Sequence, residues 1–213
     1  MRLYPHKTPR FLKILGANYI WNVANESKKI YLTFDDGPAP EITEWTLNLL
    51  SAFQAKGTFF MVGENLKKYP EIGLKVLENG HQVGNHSQTH LSGWRCSAGT
   101  YKRDVRIAQE AFKKYLGFSP TLFRPPYGRI RRSQGKVLQH EYDIVMWSYL
   151  SGDFEYELNF RNSIASLSKA RGGDILVFHD NPKYFENLKK VLPPILENLS
   201  RDGFSFAALP DPK

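Results

Sequence analysis

Short apolar runs alternate with helix-period segments along this chain, and that alternation restricts the fold more than any other feature. The runs lie at 29–34, 58–62, 81–85, 121–123, 143–149, 174–178 and 204–208. Between them, segments at 43–56, 70–78, 100–116, 133–141, 159–170 and 183–201 repeat their apolar residues at the spacing of an amphipathic helix. Strands separated by helices pair in parallel, because each helix carries the chain back across the sheet. The expected architecture is α/β: an irregular (β/α) barrel with about seven parallel strands, an open doubly wound sheet being the main alternative. Gly57, Asn79-Gly80 and Gly117 supply helix stops, and Pro193-Pro194 should kink or split the last helix.

Composition removes several function classes. The 213 residues are 41% hydrophobic and 14% aromatic, enough for one domain with a sizeable core. The net charge is +8, but Lys and Arg are mixed with acids in segments such as YKRDVRIAQEAFKK. No basic stripe with interleaved aromatics appears, so no nucleic-acid partner is expected. Neither a G-x-G-x-x-G nor a Walker A sequence is present, which weakens nucleotide-binding functions. Cys96 is the single cysteine, so an intramolecular disulfide is impossible and the thiol reads as structural. The N-terminus is basic without the apolar stretch of a signal peptide, and no run reaches transmembrane length. The expectation is a cytoplasmic protein, export by another route aside, with at most a weak peripheral contact through Arg10 and Lys13.

The polar residues at strand ends carry the chemistry. The strand KIYLTF runs into two adjacent carboxylates, Asp35 and Asp36, before Gly37 and Pro38 turn the chain. At roughly 5 Å and an effective dielectric near 20, two unit charges repel by about 3 kcal/mol. A metal cation is the natural compensation. His86, Arg124, Asp153 and His179 follow four other strand-like runs, and in a barrel all these ends meet at one face. His86 and His90 are four apart, so on a helical turn they would share a face. Two imidazoles and one carboxylate make a common divalent-metal set. One aspartate would then bind the metal while the other stays free as a base. Arg124 could pair with the free aspartate and fix its position. The prolines of FRPPYG would hold the Tyr127 backbone N–H where it can stabilise an oxyanion. His179 suits a general acid, oriented by Asp153. Trp147 and Phe154 offer apolar walls for a sugar ring.

These residues spell a familiar pattern. TFDDGP at 33–38, HSQTH at 86–90, RPPYG at 124–128, SGDF at 151–154 and LVFH at 176–179 resemble the ordered motifs of NodB-like polysaccharide deacetylases, carbohydrate esterase family 4. The resemblance runs from about Lys28 to Leu209. It implies an irregular (β/α) barrel at 28–210, preceded by an N-terminal extension at 1–27. It implies Asp35 as catalytic base, Asp36, His86 and His90 as metal ligands, and His179 as general acid. Arg124 would tune Asp35, Asp153 would tune His179, and Tyr127 would lend its N–H to the oxyanion. The fourth motif departs from the family pattern: Leu150 and Phe154 stand where members often carry Asp and Trp.

The expected function is metal-dependent removal of N-acetyl groups from an N-acetylated amino sugar, of chitooligosaccharide or peptidoglycan type, with release of acetate. The metal would be one divalent ion, zinc by ligand type, with cobalt, nickel or iron as substitutes. The alternatives are an amidase on a non-sugar acyl-amide and a catalytically silent carbohydrate-binding relative. A two-His-one-carboxylate oxygenase leaves the extra base and acid unexplained. A paired-carboxylate glycosidase leaves both histidines unexplained.

Overall fold

The computed structural model describes residues 5–9, 11 and 18–210; Arg10 and Lys13 lie outside the described residues. Its centre is β1 (Lys29–Asp35), buried at every position after Lys29. Around it stand β2 (Thr58–Met61), β3 (Gln82–Asn85), β4 (Leu122–Phe123), β5 (Asp143–Ile144), β6 (Tyr149–Leu150) and β7 (Ile175–His179), in the order β5-β4-β3-β2-β1-β7-β6. All pairs along this path are parallel, and the seven strands curl into a half-barrel. An eighth strand, β8 (Ser205–Ala207), pairs with the first half of β1, while β2 takes the second half.

Strand parity decides what faces inward. Successive side chains of a strand point to opposite faces. On β1, Ile30, Leu32 and Phe34 join the large core under the helices, where Phe34 stacks on Phe59 at 4.8 Å. Tyr31 belongs instead to the inner cluster with Phe60, Leu122, Val145 and Ile175. The same alternation along each strand puts Thr33 and Asp35, Arg124, and His179 on the inner side above that cluster. Register reinforces this, because Asp35 lies directly beside His179 across the β1–β7 pair.

The helices follow the sequence signals with informative exceptions. Those bounded on both sides by described residues are α1 (Ile42–Ala52), α2 (Gly63–Lys68), α3 (Pro70–Glu78), α4 (Ala98–Leu116), α5 (Arg132–Leu138), α6 (Phe160–Leu167) and α7 (Phe185–Arg201). Ser97 caps α4 by accepting from the Thr100 N–H, and Gly117 ends it in the left-handed conformation at φ 78°. The first helix stops at Ala52, short of the expected 56, because Gln54 turns left-handed at φ 51°. Pro193 and Pro194 do not split α7, which runs unbroken. Leu188, Val191, Leu192, Ile195, Leu196 and Leu199 are buried on both sides of the proline pair, and that apolar stripe outweighs about 3 kcal/mol per interior proline.

The run at 143–149 is also broken, into β5 and β6. Its middle backbone groups are claimed by other partners. Arg124 takes the carbonyls of Val145 and Met146. Ile20 pairs on both sides, its N–H donating to Ile144 and its carbonyl accepting from Met146. Thr8 N–H donates to the Ser148 carbonyl, and Leu150 N–H to His6. The described N-terminal residues thereby line the seam between β5 and β6, an edge that otherwise exposes unpaired strand groups. Among the described residues, no helix is long and apolar enough to cross a membrane.

Ile20 packs against the inner cluster, so Ile20→Ala should cost about 2 kcal/mol, the low end for a large-to-small change at a half-buried site. Thermal unfolding should show a Tm lower by roughly 4–8 °C. An unchanged Tm would mean that the seam contributes nothing to the fold.

Candidate active site

The C-terminal strand ends gather every sequence-predicted site residue except the exposed Tyr127 side chain into one partly buried cluster. Arg124 is fully buried and makes four hydrogen bonds. Its Nη1 donates to Asp35 Oδ1 and to Thr33 Oγ1, each at 2.7 Å; its Nη2 donates to the Met146 carbonyl at 2.9 Å; its Nε reaches the Val145 carbonyl at 3.4 Å. Its guanidinium lies 4.2 Å above the Phe60 ring. A charge this deep persists only when paired and hydrogen-bonded. One carboxylate of the Asp35-Asp36 pair is thus neutralised by a protein cation.

The other faces two histidines. Asp36 Oδ1 stands 3.1 Å from His90 Nε2 and 3.7 Å from His86 Nε2. One donor atom from each of Asp36, His86 and His90 lies within 4.8 Å of the others. His86 Nδ1–H donates to the Arg124 carbonyl at 2.7 Å, which leaves Nε2 as the ring's lone-pair nitrogen. Burial pulls His86 down to about 4, so it is neutral near pH 7. Burial pushes Asp36 up, but His90, His179 and His86 outweigh it and hold Asp36 well below the usual carboxylate range. Asp36 Oδ1 is buried and accepts no hydrogen bond. Two imidazoles and an ionised carboxylate with an orphaned buried oxygen, converging on one point, fit a divalent cation.

The histidines do not reach this geometry on a helical turn, as their spacing suggested. Residues 86–90 form a loop, with Ser87 at φ 65° and His90 at φ 55°. Side chains claim the N–H groups that a helix would use. Asn85 Oδ1 accepts from Ser87 N–H, and Asp104 Oδ2 accepts from the N–H groups of Gln88 and Thr89. Asp104 sits on the buried face of α4 beside Tyr101, Val105, Ala108 and Phe112. An acid inside an apolar stripe was the readable signal for this clamp.

A third group stands across the site. His179 Nδ1–H donates to Asp153 Oδ1 at 2.7 Å, and its backbone N–H donates to Asp153 Oδ2 at 2.8 Å. Burial would lower His179, but Asp153, followed by Asp36 and Asp35, raises it to about 9. Phe154 sets its ring edge against His179 at 5.3 Å, while Trp147 lies elsewhere, over Gly128. Tyr127 is left-handed at φ 60°, and its exposed ring packs 4.5 Å from His90.

Sequence reasoning missed the residues that brace the aspartates. Asp180, directly after His179, accepts from Gly37 N–H at 2.9 Å and from Thr43 Oγ1 at 2.7 Å, and its own N–H donates to the Asp35 carbonyl. Burial, with Asp36 nearby, raises Asp180 to about 7. A Cβ on Gly37 would fall 2.1 Å from Asp180 Oδ2, so only glycine admits this brace. Asn181 Nδ2 donates to Asp36 Oδ2 and Asn65 Nδ2 to the Asp36 carbonyl. Together they hold Asp36 at φ 81°, a strained conformation for a non-glycine residue.

Residues 22–144 match the family described as polysaccharide deacetylase. A peptidoglycan-N-acetylglucosamine deacetylase of Bacillus cereus is 33% identical over 192 residues, covering 89% of this chain and 90% of the relative. The peptidoglycan-N-acetylmuramic acid deacetylase PdaC of Bacillus subtilis is 31% identical over 186 residues, covering 85% of this chain and 38% of the relative. A crystal structure of a peptidoglycan N-acetylglucosamine deacetylase in complex with 4-naphthalen-1-yl-N-oxidanyl-benzamide aligns at a TM-score of 0.86 and 28% identity over 95% of each chain. The strand-end cluster, the half-barrel and these likenesses agree: this chain belongs to the polysaccharide deacetylase family, the NodB-like carbohydrate esterases of family 4.

Proposed function

We propose that this protein hydrolyses the N-acetyl amide of an N-acetylated amino sugar in a peptidoglycan-type or chitooligosaccharide chain, releasing acetate and a free amine. The observation that carries this is the Asp36–His86–His90 donor set beside two separate ion pairs, Arg124–Asp35 and His179–Asp153. The names of the relatives, peptidoglycan N-acetylglucosamine and N-acetylmuramic acid deacetylases, support the substrate class.

Asp36, His86 and His90 would hold one divalent ion, zinc by its nitrogen and oxygen ligands, with cobalt, nickel or iron as substitutes. Bound there, the ion supplies Lewis acidity toward the amide carbonyl and the attacking water. Asp35 accepts the proton that water gives up as its oxygen joins the carbonyl carbon. Arg124 keeps the Asp35 carboxylate aimed and charge-balanced. The Tyr127 N–H is assigned to the developing oxyanion. As the C–N bond breaks, His179 donates a proton to the departing amine, and Asp153 fixes the Nδ1 side so that Nε2 delivers it.

Purified protein should retain one divalent ion per chain after dialysis, and His86→Ala or Asp36→Ala should lose most of it. Full metal content in both variants, measured by elemental analysis, would reject the ligand set.

Asp35→Asn and His179→Ala should each lower kcat by ~10²–10⁴-fold, the range for loss of a general base or acid, while keeping the metal. Acetate release from N-acetylated chitooligomers and peptidoglycan fragments is the readout. Near-normal turnover in either variant would contradict its role.

The acid form of His179 is present at neutral pH and is lost as pH rises through its raised pKa of about 9. A bound cation would offset the Asp36 contribution, so the alkaline limb of kcat/KM should fall at or below that value. Asp153→Asn removes the main raising partner and should move the limb to lower pH. An unmoved limb would detach His179 from the observed ionisation.

A further inference from the structure

We infer that a cavity beside the site binds a carboxylate-bearing sugar unit of the glycan, next to the unit that loses its acetyl group. The inference rests on the proposed deacetylation and specifies its substrate. The cavity measures about 430 Å³ and shares Tyr127 with the metal-ligand candidates, through the ring contact to His90. That volume suits a small-molecule site, which spans about 300–1,000 Å³.

Its walls are flat and aromatic. Trp21, Trp94 and Trp147, three of the chain's four tryptophans, line it together with Tyr19 and Tyr127. The C–H faces of a pyranose stack on such rings. The walls are held in advance. The Trp94 turn is tied down from both sides: buried Gln134 donates to the Gly93 carbonyl at 2.8 Å, Arg131 donates to the Trp94 carbonyl at 2.7 Å, and Gly93 N–H donates to Arg129. Trp147 lies so close on Gly128 that a Cβ there would fall 2.6 Å from the ring. Trp21 is anchored by Ser148 Oγ, which donates to its carbonyl at 2.8 Å.

The polar chemistry of the cavity is one-sided. Among its described lining residues there is no Asp or Glu, while Arg129 and Arg132 are both present. Among the described residues, neither arginine forms an ion pair. The Arg129 guanidinium is flanked by Trp94 at 5.3 Å and Tyr127 at 5.7 Å, which restricts it without neutralising it. A planar donor held between aromatic faces with no internal anion suits an incoming carboxylate. The unit that loses its acetyl group is placed at the Asp36–His86–His90 set, whereas Arg129 and Arg132 line the adjoining cavity, so the carboxylate is assigned to its neighbour. It sits on that sugar itself, as an acidic ether or uronic acid, rather than on an attached peptide, because the aromatic walls enclose the same space as the arginines.

The test is binding of disaccharides to metal-free protein by calorimetry, which needs no turnover. The ligands are an N-acetylated disaccharide with an acidic ether on one sugar, its carboxyl-reduced alcohol, and a version whose sugar acid is amidated to a short peptide bearing the only free carboxylate. The sugar acid should bind at least about tenfold tighter than the alcohol, the scale of one charge-assisted hydrogen bond. Arg129→Gln/Arg132→Gln should abolish that preference, and exposed Arg132→Gln alone should reduce it if the double variant folds poorly. Equal binding of acid and alcohol, or a preference that survives the arginine changes, overturns the subsite. A preference confined to the peptide carboxylate overturns the assignment to the sugar. If metal-loaded protein releases no acetate from any of them while the binding preference holds, the proposed reaction fails and the subsite stands.

Discussion

A buried guanidinium organises the mouth of this barrel. Arg124 has no access to water, and its hydrogen bonds tie β1 to the stretch between β5 and β6. Removing a partner from such a pair costs about 3–5 kcal/mol, because it strands an uncompensated charge. The pair therefore constrains both neighbours: Asp35 is held aimed inward, and the chain at Val145–Met146 offers two carbonyls to the guanidinium. Two adjacent carboxylates are tolerated at the end of β1 because they have different counter-charges. Asp35 has Arg124, and Asp36 has the histidines and, in the proposed function, a cation.

Around this anchor lies a layer of residues that do no proposed chemistry but hold strained loops in shape. Asp36, Ser87, His90 and Tyr127 are all left-handed without being glycine. Each such residue costs of order 1–3 kcal/mol, so surrounding contacts must over-determine it. Asp180, Asn181 and Asn65 do this for the aspartate turn, and Asp104 with Asn85 does it for the histidine loop. Asn181 also touches the Asp36 carboxylate itself, whereas the others reach the donor set only through the loops that carry it.

The seam between β5 and β6 links fold to specificity. The N-terminal residues that supply its hydrogen bonds also bring Tyr19 and Trp21 beside Trp147. A half-barrel needs some cover for its open edges. Here that cover doubles as one wall of the aromatic cavity, so the device that completes the fold also shapes the space next to the site.

The periodicities written in the chain determined the β/α alternation, the parallel sheet and the positions of Asp35, Asp36, His86, Arg124, Asp153 and His179 at strand ends. These are local properties: a period of two or 3.6 and a turn residue are visible within a dozen positions, and parity then sends alternate side chains inward. Motif spacing added the family. What depends on partners distant in sequence was decided by the tertiary structure. The histidines share a site through a loop, because Asp104, on another element, competes for its N–H groups. The 143–149 run splits because Arg124 and Ile20 take its backbone. The last helix survives two prolines because six buried side chains hold it. Asp180 became a brace only when β1 and β7 were set side by side, and the aromatic cavity exists only where the N-terminal segment meets the Trp94 and Tyr127 turns. Buried polar partnerships and cavities arise between segments, and no window along the sequence contains both sides of them.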